Sequence, residues 1–467
     1  MGYVQGLSRD QGSLFPVSLD EMIGPDHVCR VIAAFVQRLD LAALGFARAR
    51  TKATGRPPYD PADLLMLYLY GYLNRVRSSR RLERECQRNI ELMWLLHRLA
   101  PDHKTIAEFR RCNASPLRQA GAEFVRFCAE AGLIGGEWVA VDGTKFQAVA
   151  SGKAVLDAAQ RAELQAKLEQ RIAQYLQELE AADQQQGEAE VDAQALRQAL
   201  ARLQQQPSDL AQAQGGQRLH VSTEPEAVVL KGKGPGYNVQ TAVDAEHALI
   251  VAHEINAQAG DNGCLQRMGE AAQQALGVTE FKLVADAGYS NGEQAQALED
   301  QGVQVHVPVK RSVNNQGDGE LFDRTCFTYE VQADAYVCPA HKLLLRKQID
   351  RKDKIVIYAA QASDCAACAM KPRCTPSSRR MVSRHLHEQA LARMQQRATP
   401  QAMRLRRSTA EHPFAALKFH IFGHPRFLMR GLTGAGTEIA LATLAYNVKR
   451  ALAVLGAQPM LGKLAAR

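Results

Sequence analysis

No stretch of this sequence approaches the roughly 18 uninterrupted apolar residues that a membrane-crossing helix needs. The first ten residues, Met1 to Asp10, have neither the basic start nor the apolar core of a secretory signal. Both absences lead to the expectation of a cytoplasmic protein without a membrane partner. A strong excess of one charge sign is also lacking: 57 Lys and Arg face 49 Asp and Glu, a net +8. That is a mild lean toward nucleic acid and no more. Ten cysteines are present, but a reducing compartment excludes a disulfide framework. Six of them, Cys29, Cys86, Cys112, Cys128, Cys264 and Cys326, are scattered and read as small core or half-buried residues.

At 467 residues the chain exceeds what one core organises, so roughly two to four structural units are expected. Its 46% apolar residues suffice for real cores. The charge distribution says more than the total. Segment 155–215 carries ten acidic and five basic side chains, leaving an arginine-rich remainder. A basic body with an acidic appendage suits a phosphate-binding surface, although a soluble basic protein of any kind has the same balance.

Residues 1–130 read as a helical N-terminal domain. Asp60 and Pro61 are a plausible cap and first position for a helix over 62–75, after another over 28–39. Thr105 is a candidate cap for a short helix at 103–113. Arg75, Arg77, Arg80, Arg81, Arg84 and Arg88 follow one another in a turn-and-helix region. Short helices with clustered arginines suit a DNA-binding module, with Arg77, Arg80 and Arg81 as candidate contacts; a solvated basic face is the alternative.

From 137 the pattern changes to strands at 138–141, 236–244 and 248–255. A helix at 262–276, a strand at 282–285, a helix at 291–301 and a strand at 303–309 follow. Helical sequence resumes near 385. This order, βββ-α-β-α-β and a late α, predicts an α/β fold of the ribonuclease H-like class, a mixed sheet flanked by helices, built from 131–311 and 385–467. Two insertions interrupt it. Residues 155–215 carry an apolar stripe, Leu164, Leu168, Ile172, Tyr175 and Leu179, resumed by Leu196, Leu200 and Leu203. That predicts a helical hairpin, with partial disorder of the Gln-rich stretch as the alternative. Residues 312–384 carry four strand-like runs and Cys338, Cys365, Cys368 and Cys374. The Cys365-Ala-Ala-Cys368 pair has metal-knuckle spacing, and four thiolates suit a structural Zn²⁺; unligated thiols and a redox role are the other readings.

Three acids fall where this order places one shared site. Asp142 follows Val-Ala-Val on the first strand, Asp286 ends the fourth strand in Val-Ala-Asp-Ala-Gly, and Glu411 is on the late helix. Each alone reads equally well as a turn, cap or solvated residue. Together they offer the oxygen ligands that two Mg²⁺ ions require, with Mn²⁺ as a substitute, and such a pair clamps a phosphodiester for in-line displacement. Arg404, Arg407, Glu411 and Lys418, at intervals of 3, 4 and 7, fall within an arc of about 60° on an ideal helix, so the three cations are candidate phosphate contacts. Surface i,i+4 pairing is the alternative, and Pro413 interrupts the helix. Asp244, the nearest rival acid, lies at a hairpin turn and reads as structural. Lys231-Gly-Lys-Gly-Pro-Gly236 lacks the spacing of a phosphate loop and reads as a flexible loop touching DNA.

Over nearly its whole length the sequence resembles bacterial insertion-sequence DDE transposases, most similar to the group numbered eleven-eighty-two and its relatives in the insertion-sequence-five and -four families. Asp142-Gly-Thr-Lys145 resembles the family's first Asp motif, Asp286-Ala-Gly-Tyr289 its second, and Arg407-x₃-Glu411-x₆-Lys418 its Tyr-x₂-Arg-x₃-Glu-x₆-Lys signature, with Arg404 in the Tyr position. Gly55-Arg-Pro-Pro-Tyr-Asp-Pro61, Gly236–Asp244 and the cysteine cluster also look like family segments. The resemblance implies Mg²⁺-dependent cleavage at transposon ends and attack of the freed 3′-hydroxyl on target DNA. It also implies inverted-repeat and target DNA as partners, a homo-oligomer, at least a dimer on DNA, and a nucleoid-associated location. A catalytically silent DNA-binding derivative and a nuclease without strand transfer are the competing functions.

Overall fold

The computed structural model describes residues 18–50, 57–184, 219–309, 321–351 and 354–466. Six helices come first: α1 (Val28–Arg38), α2 (Pro61–Leu73), α3 (Ser79–Arg88), α4 (Ile90–Leu95), α5 (His103–Cys112) and α6 (Ala114–Glu130). Asp60 caps α2 through the Ala62 N–H, with Pro61 at the first position as expected. The helix is buried on nearly every side from Leu64 to Tyr72, so α2 is a central rod of the core. Helix α5 is capped by Asp102, which accepts from the N–H groups of both Lys104 and Thr105; Thr105 lies inside the helix.

Next come β1 (Trp138–Gln147), β2 (Val155–Leu156), α7 (Ala158–Gln184), β3 (His220–Val221), β4 (Val228–Leu230), β5 (Gly234–Asp244) and β6 (Ile250–Asn256). Helix α8 (Leu265–Leu276), β7 (Lys282–Val284), α9 (Gly292–Asp300) and β8 (Gln304–His306) complete this part. The main sheet has the order β4-β5-β1-β7-β8, with β6 also paired to β5. The pairs β1–β5, β4–β5 and β5–β6 are antiparallel, and β1–β7 and β7–β8 are parallel. A reading from local sequence stops β1 near Asp142 because Asp-Gly resembles a turn. Here β1 continues to Gln147, since β5 pairs with it from Val139↔Asp244 to Gln147↔Gly236. Gly236 is required there: a Cβ would lie 2.3 Å from the Phe146 carbonyl oxygen.

The remaining helices are α10 (Ala362–Ala366), α11 (Glu388–Arg397), α12 (Pro400–Ala415), α13 (Gly431–Leu455) and α14 (Ala457–Ala465). One face of the sheet packs Val139, Val141, Leu283 and Val305 against Leu265 and Met268 of α8 and Leu298 of α9. On the other face, Ala140 and Val284 pack against Ala410 of α12. Helix α13 is buried from Gly434 to Val448, and its core is continuous with that of α1–α6 and β5.

The insertion after β8 is a five-stranded antiparallel sheet in the order β13-β12-β11-β10-β9, formed by β9 (Thr328–Glu330), β10 (Ala335–Val337), β11 (Leu343–Asp350), β12 (Ile355–Ala360) and β13 (Met381–His385). Its fifth strand was not expected from the sequence, and the boundary anticipated at 384 falls within it. What makes Met381–His385 a strand is pairing to β12, which local composition does not encode. Of the other insertion, β2 pairs with β3 at the base and α7 rises from it with Leu168 buried. The second limb of the expected hairpin lies outside the described residues.

Candidate active site

Strand register brings the first two acids together. In the parallel pair β1–β7, Ala140 is opposite Val284. Two residues further on, where side chains return to the same face, come Asp142 and Asp286. Ala140 and Val284 both touch Ala410, so both carboxylates emerge on the α12 side. Asp142 Oδ1 accepts from the Gly143 N–H at 2.8 Å, and Asp286 Oδ1 accepts from the Gly288 N–H at 2.7 Å. Asp142 is 14% exposed and Asp286 46%. Burial raises the Asp142 carboxyl above its ordinary range, opposed by a neighbouring guanidinium and reinforced by Asp286.

That guanidinium belongs to Arg406, whose Nη2 is 2.7 Å from Asp142 Oδ2 and 3.6 Å from Asp286 Oδ2. The arginine interrupts an apolar stripe on α12, Met403, Arg406, Ala410 and Pro413, at spacings of 3, 4 and 3. A charged residue within a helix's otherwise apolar stripe is a signal the sequence carries, and it distinguishes Arg406 from the outer Arg404 and Arg407. Two hard-oxygen carboxylates that already share one cation suit a divalent ion chemically. In that respect the residues fit the expected metal.

Glu411 is next to Ala410 on the same helix, but its side chain is exposed and has no hydrogen bond or ion pair among the described residues. Arg404 and Arg407 are exposed as well. Helix α12 runs through Pro413 and then widens into a π-helical turn, Ala416–Ile421, where the Phe422 N–H bonds back to Leu417. The widening removes Lys418 from the arc shared by Arg404, Arg407 and Glu411, because the even 3.6-residue turn no longer holds. Lys418 is half-buried instead. Burial and the nearby Lys233 lower its ammonium pKa, and the Asp142 charge opposes them. Lys233 belongs to the tight β4–β5 turn, where Gly232 and Gly234 have φ of 71° and 75°. The lysine–glycine segment is therefore a hairpin turn at the edge of the site.

A fourth acid, not anticipated, lies beside Gly143 and Gly288, the glycines that follow the first two in their motifs. Asp261 Oδ1, on the β6–α8 loop, accepts from Asn238 Nδ2 at 2.7 Å, Gln240 Nε2 at 2.8 Å and Lys145 Nζ at 3.1 Å. A Cβ on Gly143 would lie 2.3 Å from Gln240 Nε2 and 2.7 Å from Asp261 Oδ1. Glycine thus follows Asp142 to admit this network, not to make a turn. Gly-Asp-Asn in a loop carries no local signal of that role. Asp244 is structural as expected: it accepts from the N–H groups of Gly135, Gly136 and Glu246.

The arginines of the N-terminal helices divide. Arg80 and Arg81 are exposed on α3. Arg77, expected on the same DNA-facing surface, is instead buried: it pairs with Glu438 of α13 at 2.9 Å, lies 4.3 Å from the Phe422 ring centroid and donates to the Arg426 carbonyl. Its place before α3 turns it inward, so it joins the N-terminal helices to α13 and is not available to phosphate.

Cys338, Cys365, Cys368 and Cys374 line one cavity of about 30 Å³ in the β-rich insertion. Burial raises the Cys374 thiol, and the other three sulfurs add to it. Among the described residues, the ligand atoms that all lie within 4.8 Å of one another belong to His27, Cys29 and Glu91. There His27 Nδ1 accepts the Cys29 N–H as a helix cap, Nε2 faces Glu91, and burial pushes the Cys29 thiol up to about 12, so these groups satisfy one another. Of the six scattered cysteines, Cys112 and Cys326 are exposed and the others buried.

No curated protein matches the chain. Among solved structures it is similar to piggyBac transposase in a synaptic complex with hairpin DNA, at 9% identity and a TM-score of 0.33, over 94% of this chain and 78% of that one. Residues 17–112 match the family model described as transposase domain (DUF772). Residues 230–448 match the transposase DDE domain, a span that includes Asp286, Arg406, Glu411 and Lys418 and begins after Asp142. The chain thus carries the transposase domain and the DDE domain of a DDE-type transposase.

Proposed function

We propose that this protein is an insertion-sequence transposase of the group numbered eleven-eighty-two, that it cuts DNA at terminal inverted repeats and that it joins the freed 3′-hydroxyl to target DNA. The observation that carries the reading is the register of β1 on β7, with Asp142 and Asp286 on one face and α12 crossing it. The strand order, with β1 between an antiparallel β5 and a parallel β7, supports a ribonuclease H-like core. In this reading residues 1–130 bind DNA, 131–311 and 385–467 hold the site, and 155–215 and 312–384 are insertions.

Asp142, Asp286 and Glu411 would hold two Mg²⁺ ions, or Mn²⁺. Bound there, the metal pair supplies Lewis acidity to the scissile phosphate and to the attacking oxygen. The chain does the rest. Asp142 and Asp286 are preset by their own backbone N–H bonds, so little reorganisation is needed. Glu411, free on its helix, can turn toward them when DNA covers the site. Lys418, half-buried near Asp142, orients a phosphate oxygen, and Arg404, Arg407, Arg80 and Arg81 hold the flanking backbone. Asp261 positions Lys145 beside the first Asp motif. A structural Zn²⁺ on the four cysteines of the insertion is part of the proposal: they line one cavity, and their sulfurs, which do not form a group within 4.8 Å of one another, would draw together on binding it. A homo-oligomer is part of the proposal because two ends must be paired, and a cytoplasmic, nucleoid-associated location follows from a DNA substrate.

The test is a strand-transfer assay with inverted-repeat ends, target DNA and Mg²⁺. Wild type is expected to cleave and join, whereas Asp142→Asn, Asp286→Asn and Glu411→Gln bind the ends and do neither. Cleavage surviving in these variants would overturn the site. Binding without cleavage by wild type would make it a silent derivative, and cleavage without joining a nuclease.

A further inference from the structure

Arg406 holds a position that the proposed metals also need. Its Nη2 approaches Asp142 Oδ2 to 2.7 Å and Asp286 Oδ2 to 3.6 Å, so one nitrogen serves two carboxylates. The side chain is only 14% exposed. Its Nε is buried with no hydrogen-bond partner among the described residues. A guanidinium with a matched partner makes two parallel bonds with its fork. This one makes a single good bond, leaves its second carboxylate beyond hydrogen-bond reach and carries an unsatisfied donor. It neutralises the aspartates but is poorly satisfied doing so.

Divalent Mg²⁺ and Mn²⁺ bind carboxylate oxygens at roughly 2.0–2.2 Å and concentrate two charges where the guanidinium spreads one. Asp142 Oδ2 has lone pairs enough for two partners, but an ion held by both aspartates would lie where Arg406 Nη2 now stands, 2.7 Å and 3.6 Å from their oxygens, and two cations cannot share that space. We infer that Arg406 is an internal competitor for the metal site, a positioning residue that holds Asp142 and Asp286 together and must withdraw from them when a divalent cation binds. This rests on the reading of Asp142 and Asp286 as metal-holding groups. The imperfect clamp keeps the cost of withdrawal low, because little hydrogen bonding is lost. A released Arg406 has the exposed Arg407 as its neighbour and lies near the proposed DNA phosphates, which are better partners for its fork.

The experiment is Mn²⁺ binding to the full chain without DNA, by calorimetry and by loss of the free-ion paramagnetic resonance signal, with thermal unfolding alongside. Arg406→Gln and Arg406→Ala are expected to bind Mn²⁺ about tenfold more tightly than wild type. Both should unfold at lower temperature without metal and regain most of the difference at saturating Mn²⁺. Arg406→Lys, which keeps the charge, should stay near wild-type affinity. A merely structural arginine would lower stability equally with and without Mn²⁺. Equal or weaker Mn²⁺ binding by the neutral variants overturns the inference, and if alanine fails to fold, glutamine decides. Asp142→Asn and Asp286→Asn separate the two ideas: if they leave Mn²⁺ affinity intact, the metal-site reading fails first.

Discussion

Burial in β6, assisted by Arg118, pushes the His253 imidazole down to about 4 from an ordinary 6.5, and its Nε2 has no hydrogen-bond partner among the described residues. Between those values the unfolded chain takes up a proton that the folded chain refuses. The neutral ring's contribution is therefore fully present above about pH 6.5 and is lost as pH falls toward 4. Between pH 7 and pH 5 this amounts to about 2 kcal/mol. Thermal unfolding at the two pH values should show His253→Gln losing less stability than wild type; an equal loss would assign the acid sensitivity elsewhere. Residue scale also separates two arginines close in sequence. Arg77→Ala should cost about 3–5 kcal/mol, because it strands the fully buried Glu438. Arg80→Ala and Arg81→Ala should change stability by less than about 0.5 kcal/mol. Each should instead weaken binding to all DNA sequences and reduce the salt slope by about 1. Denaturant titration and salt-dependent binding measure both effects.

Among the elements, α12 best shows what local sequence conveys. Glu411 was expected on a late helix, and that helix is capped by Thr399 and begins at Pro400. Its continuation was not expected. Pro413 suggests a break, yet the helix passes through it and relaxes into a π-turn, since packing of Phe414 and Leu417 outweighs the lost backbone bond. That turn decides where Lys418 lies, which an ideal-helix calculation put on the wrong arc. The β-rich insertion was legible in four of its strands, each an apolar run. β13 was not, as its partner β12 decides it. If zinc ties this small sheet together, a chelator should melt the insertion in a separate transition at lower temperature, with the release of about one Zn²⁺ per chain. Cys365→Ser should abolish both the bound metal and that transition. A metal analysis finding no zinc in the purified chain would leave four reduced thiols around an apolar cavity.

At the scale of the whole molecule, the helices of residues 28–130 and the sheet are not joined by a linker alone. Helix α13 is buried against α2 and α6 on one side and β6 on the other, in one continuous core. The buried Arg77–Glu438 pair crosses the same junction, and Glu438 also accepts from the N–H groups of Leu428 and Met429. An arginine-bearing surface on α3 is thereby held in a fixed relation to the carboxylates.

By itself the sequence determined the types and order of β1 and β5 to β8 with the helices between them, though not of β2 to β4 or α6, and it set the two acids at strand positions. These rest on periodicity and composition, which act over a few residues. It also carried a resemblance to DDE transposases, which the matched domains support at that level and no finer. Only the tertiary structure decided that Asp142 and Asp286 stand side by side, because parallel pairing of β1 with β7 sets that register across all the strands and helices between them. It alone placed Arg406 between them, Asp261 beside the glycines that follow them and Arg77 out of reach of DNA. Each of those outcomes depends on what packs across from a residue, and a side chain's neighbours in space are not written next to it in the chain.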